Sequence, residues 1–104
     1  MRVYISKTVY AELTAFYAES LRRHITLDEY TVHRKIDRII SAIHELSDFP
    51  TRYPLAQFKQ EWIDKGYRDM KFEGFHIGYT IMKTPSGEEA VFAEDICYDL
   101  LFHD

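Results

Sequence analysis

An α+β fold follows from two changes of period along the chain. Its order is β-α-α-β-β-β, with a helical hairpin packed on a mainly antiparallel twisted sheet. Apolar residues recur at helical spacing in the first half, most clearly Val32, Ile36, Ile39, Ile40, Ile43 and Leu46. From Tyr67 the period becomes two: Phe75, Ile77, Tyr79 and Ile81 share one face, His76, Gly78, Thr80 and Met82 the other. Helices first and strands afterwards place the helices on one face of an antiparallel sheet.

Each element has its own signal. "RVYIS" alternates, with Val3 and Ile5 on one side, and reads as a short first strand. Ser6 is placed to cap the first helix by accepting a backbone N–H, and Val9, Leu13, Phe16 and Tyr17 follow at helical spacing. That helix breaks near "RRHI", residues 22–25. "TLDE", with Thr26 at the cap and Glu29 three residues on, is a capping box that opens the second helix. The second helix stops before "DFP", because Pro50 disfavours helix at Phe49. Residues 50–65 hold Pro50 and Pro54 and no clear period, which predicts a loop with a short structured piece. "GYRDMKFEGFHIGYTI" reads as the central hairpin, and "TPSGE" as the turn after it. "AVFAEDICYDLLF" begins as a strand; its end fits strand or short helix.

The totals bound the class. A chain of 104 residues, 46% apolar or aromatic and 29% charged, fits one domain spanning 1–104. Arg2 is followed by an alternating run rather than an apolar one, so no signal peptide is expected. No stretch approaches the roughly 18 to 20 apolar residues that span a bilayer, so the expectation is a cytoplasmic protein with no membrane partner. The single Cys97 forms no internal disulfide and excludes a multi-cysteine zinc site. The five histidines lack a metal-binding spacing with acidic partners, so neither a metal nor a cofactor is expected. Residues 1–49 balance 7 Lys/Arg against 7 Asp/Glu, whereas residues 50–104 hold 6 against 10, so the net −4 lies in the second half. A generic nucleic-acid binder carries a basic excess; any such site here is a local basic patch in an acidic protein.

This order of elements resembles the RelE/ParE superfamily of bacterial toxin–antitoxin toxins over nearly the whole chain. "RVYISKTVYAEL" is similar to the family's opening strand and helix start, with Ser6, Glu12 and Leu13 at the matching places. "IDRIISAIHELSDFP" resembles its second helix, and "GYRDMKFEGFHIGYTI" its central hairpin, with Arg68 at the first Arg position and Tyr79 at the final Tyr. "EEAVFAEDICYDLLFHD" resembles the last strand and tail. The resemblance implies the toxin of a type II module, neutralised by a cognate antitoxin lying along the helical hairpin and sheet edge. It implies one of two activities, ribosome-dependent mRNA cleavage (an mRNA interferase) or non-enzymatic inhibition of DNA gyrase. A degenerate toxin acting only as a protein-binding module is the third reading.

Metal-free RNA cleavage needs a base for the ribose 2′-proton, a cation for the crowded phosphate and an acid for the leaving 5′-oxygen. Under the resemblance, Arg68 steadies the phosphate, Lys59, Lys65 and Lys71 position RNA together with Tyr98, and His76 or His103 moves protons. His76 stands where the family commonly has Arg, and Leu100 and Leu101 where its tail usually holds Arg. Glu88, Glu89, Glu94, Asp95, Asp99 and Asp104 crowd the same region, and like charge opposes phosphate binding. Arg68 and Lys71 are three apart, so a regular strand points them to opposite faces. Cys97 reads as a small core residue, and His24, His33 and His44 as non-catalytic residues on or beside helices.

Overall fold

The computed structural model describes residues 1–22 and 29–98. Thr26 of the capping box, His24 and the tail residues Leu100, Leu101 and His103 lie outside the described residues. The chain forms β1 (Arg2–Ile5), α1 (Lys7–Arg22), α2 (Glu29–His44), a 3-10 turn at Glu45–Ser47, α3 (Gln60–Asp64), β2 (Arg68–Phe72), β3 (Phe75–Lys83) and β4 (Glu89–Tyr98). The α+β class predicted from the sequence is therefore present, with α3 as the short structured piece of the 50–65 segment. The sheet is mixed, in the order β1-β4-β3-β2; β1 runs parallel to β4 and the other pairs are antiparallel.

Two layers of apolar side chains meet on one face of this sheet. Val9 and Leu13 of α1, Ile39 and Ile43 of α2, and Leu46 of the 3-10 turn are buried against Met70, Phe75, Ile77, Tyr79, Val91, Ala93 and Ile96. Val3 and Ile5 pack against the same cluster. Val9, Leu13, Ile39, Ile43, Leu46, Phe75, Ile77 and Tyr79 are residues the two periods pick out; Met70, Val91, Ala93 and Ile96 join them in the structure. Ser6 performs the predicted cap, its Oγ accepting from Val9 N–H at 3.3 Å. The same hydroxyl donates to the Glu94 carbonyl at 2.9 Å, which ties the start of α1 to the middle of β4.

That tie falls on an irregularity. Gly78 pairs with Asp95 but the next residue, Tyr79, pairs with Ala93, so Glu94 is an extra residue in β4. A bulge of this kind shifts the side-chain alternation by one. Val91 and Ala93 face the helices before it, and Ile96 and Tyr98 face them after it. Asp95 and Cys97 thereby point to the other face.

The hairpin between β2 and β3 turns at Glu73 and Gly74, both with positive φ, 53° and 83°. Two such residues match the mirror-image turn that suits the twist of paired strands. Glu73 is the unusual one, since non-glycine residues enter this region at a cost. Its carboxylate accepts from Arg38 Nε at 3.1 Å, anchoring the turn to α2.

The second sheet face is partly covered. After the 3-10 turn the chain wraps around β2: Leu55 bridges to Arg68, Ala56 N–H donates to Tyr67 O, and Asp69 N–H donates to Pro54 O, both at 2.9 Å. It then lays α3 across the sheet, where Ala56, Trp62 and Tyr67 form a small buried cluster with Cys97 packed against it. Gly78 makes this close approach possible, because a Cβ there would lie 2.8 Å from the Tyr67 ring and 3.0 Å from the Trp62 ring. Among the described residues no helix is long and apolar enough to cross a membrane.

Candidate functional site

The polar chemistry of the molecule collects on the face that α3 partly covers. His76 lies near the start of β3, directly opposite Lys71 of β2 and Cys97 of β4. Its Nδ1 stands 2.8 and 3.0 Å from the two carboxylate oxygens of Asp69. A carboxylate accepts and does not donate, so Nδ1 is the nitrogen that donates in this pair. The imidazole is 9% exposed, and the ring of Phe58 lies over it with centroids 4.3 Å apart.

Asp95 organises the neighbouring ground. Its Oδ2 accepts from the Trp62 indole N–H at 2.9 Å and lies 3.6 Å from the Lys59 ammonium, while Oδ1 accepts from Ile96 N–H at 2.9 Å. Lys59 also sits over the Trp62 ring. Lys65 donates to Glu61 at 2.9 Å. That hydrogen bond is the main reason its ammonium is held above the usual lysine value, with Tyr67 and the Glu61 charge adding to it. Lys71 is exposed.

The structure brings His76, Lys59 and Lys71 to one face, with Lys65 at the end of α3. It places two other candidates elsewhere. Arg68 pairs with Tyr79 and shares the helix-side parity of Met70 and Phe72. Its Nη1 donates to the Tyr53 carbonyl at 2.7 Å, beside the Tyr79 hydroxyl, which donates to the Pro50 carbonyl at 2.8 Å. Arg68 thus fastens the 50–55 loop to the sheet, and the expected opposition of Arg68 and Lys71 is what the pairing gives. Tyr98 is carried by the β4 bulge to the helix side. There its ring contacts Phe16 and Phe75, with the Lys35 ammonium 5.8 Å from its centroid. His103 lies outside the described residues.

Four residues of this face were not singled out from the sequence as site residues: Asp69, Phe58, Trp62 and Asp95. Asp69 had a signal. A two-residue turn at Glu73–Gly74 sets Lys71 opposite His76 and puts Asp69 diagonal to it, within reach of a cross-strand side chain. Phe58 and Trp62 had none, since the loop that carries Phe58 and the five-residue α3 that carries Trp62 are too short to show a period. Among the described residues no group of three or more His, Cys, Asp or Glu is placed to hold a metal ion.

No protein-family model matches this sequence, and no curated protein matches it.

Proposed function

We propose that this chain is a RelE/ParE-like toxin of a type II toxin–antitoxin pair that cleaves mRNA on the ribosome and is held inactive by a cognate antitoxin. The observation that carries the cleavage reading is the His76–Asp69 pair at 2.8 Å on the same face as Lys71 and Lys59. A histidine oriented by a carboxylate transfers protons through its other nitrogen. A lysine directly across the strand supplies positive charge where a phosphate gains it in the transition state. Arg68 serves the fold in this version of the mechanism, and its phosphate role passes to Lys71. The element order and helical hairpin support the family reading. A groove between α1 and α2, lined by Tyr10, Leu13, Tyr17, Ile36 and Ile40, suits the apolar face of a partner helix.

A second reading, a toxin that binds a protein target such as gyrase without cutting RNA, is favoured by the charge pairing on this face. Lys59 and Lys65 both have carboxylate neighbours, Asp95 and Glu61. Induction in a bacterial host with mapping of mRNA 5′ ends separates the two. New cuts inside translated messages, lost in His76→Ala, are expected. Growth arrest with intact messages overturns the cleavage reading in favour of a protein target. Neither arrest nor cuts leaves a degenerate toxin that only binds its partner.

A further inference from the structure

His76 is sandwiched. Asp69 holds its edge at 2.8 Å, and Phe58 covers a face of its ring at a 35° tilt. Phe58 itself is 39% exposed: its ring meets the imidazole, packs T-shaped against the Trp62 ring with centroids 5.2 Å apart, and is partly open to solvent. It stands on a short arch between two anchors, Ala56, bonded to Tyr67 O, and the fully buried Trp62. The arch lies between the Leu55 bridge and the five-residue α3. Proton exchange at the imidazole runs in the plane of its ring, but another flat ring stacks on the covered face only when Phe58 moves aside.

We propose that Phe58 is a movable cover over His76, and that the two rings form a slot for one unpaired nucleobase. This rests on the RNA reading above and names the subsite next to the proton-transfer group. A base entering the slot parts the rings by roughly one further stacking distance, about 3.4 Å. It replaces one aromatic contact with two, and every base has a face suited to this, so the slot tolerates any sequence. Lys71, opposite His76, and Lys59, the next residue after Phe58 with its ammonium 3.6 Å from Asp95, are cations of the same face available to the flanking phosphates.

The test uses the full chain and a short mixed-sequence oligoribonucleotide, 2′-O-methylated so that it cannot be cut. In the free protein the Phe58 ring current shifts the His76 ring-proton resonances, and oligonucleotide binding is expected to move them. Phe58→Leu is expected to weaken that binding about tenfold, within the range for one stacked base, while Phe58→Tyr retains it. Diethyl pyrocarbonate, mapped by peptide, should modify His76 severalfold faster in Phe58→Leu, with His33 and His44 unchanged. Equal His76 modification in wild type and Phe58→Leu overturns the cover. Unmoved His76 resonances, or undiminished binding by Phe58→Leu, overturn the slot. A displaced Phe58 with no mRNA cuts in cells keeps the slot and removes the cleavage reading; cuts with a static Phe58 do the reverse.

Discussion

Replacing Arg68 by alanine separates its structural use from a chemical one. In the structure its guanidinium donates to the Tyr53 carbonyl at 2.7 Å from a half-buried position. A hydrogen bond from a charged group contributes about 1.5–3 kcal/mol, and partial exposure puts this one in the lower half of that range. Lost packing of the aliphatic stem adds about 0.8 kcal/mol for each buried methylene. The expected destabilisation is therefore about 2–3 kcal/mol. For a domain of this size, with a urea slope of about 1.5 kcal/mol per molar, the midpoint falls by roughly 1.3–2 M. Trp62 is the chain's single tryptophan and is fully buried, so its fluorescence follows the transition directly. Arg68→Lys keeps a charged donor and should recover part of the loss. Arg68→Ala should lose toxicity only as far as it loses folded protein. An unshifted midpoint together with abolished toxicity refutes this reasoning and returns Arg68 to the phosphate.

Three further outcomes are expected. Gly78→Ala pushes a methyl into the Trp62 and Tyr67 rings; overpacking should cost about 1–3 kcal/mol and red-shift Trp62 emission, and an unchanged spectrum with unchanged stability argues against this packing. Ser6→Ala removes the α1 cap and the bond to the Glu94 carbonyl together; a loss of about 1–2 kcal/mol is expected by urea unfolding, with amide exchange at Val9 accelerated. Burial pushes the Tyr79 phenol above its ordinary value. The folded chain therefore keeps that proton at pH values where the unfolded chain has begun to release it. This contribution to stability is intact below about pH 10 and falls as pH rises beyond it; Tyr79→Phe should flatten that fall in pH-dependent unfolding, and an equal slope in both proteins counts against a buried phenol.

What the sequence made legible depends on which forces are local. The faces of α2 and β3 could be read because burial selects every third or fourth residue in one and every second in the other. Arg68 and Lys71 fell on opposite faces by the same parity. Tyr98 shows where parity fails. Counted from Val91 and Ala93 it belongs beside His76, and the bulge at Glu94 moves it to the helix side. The helix-side residues pass from odd positions, Val91 and Ala93, to even ones, Ile96 and Tyr98, and the apolar Ala90, Phe92 and Cys97 hide that slip in the sequence. The cover over His76 could not be read in this way. Trp62 and Phe58 reach the sheet through a loop whose path is fixed by Gly78, Tyr67 and the edge of β2, all distant constraints on a segment with no period of its own.

The wrapping of residues 54–56 around β2 also governs what the sheet can join. The backbone groups at the Arg68 end of β2 are already used by Pro54, Leu55 and Ala56, while among the described residues no strand pairs with the outer side of β1. A fibre built by strand pairing needs two open sides on every subunit, one to receive and one to donate. The 54–56 segment occupies the Arg68 end of one side, which shortens the length of β2 left open to such pairing.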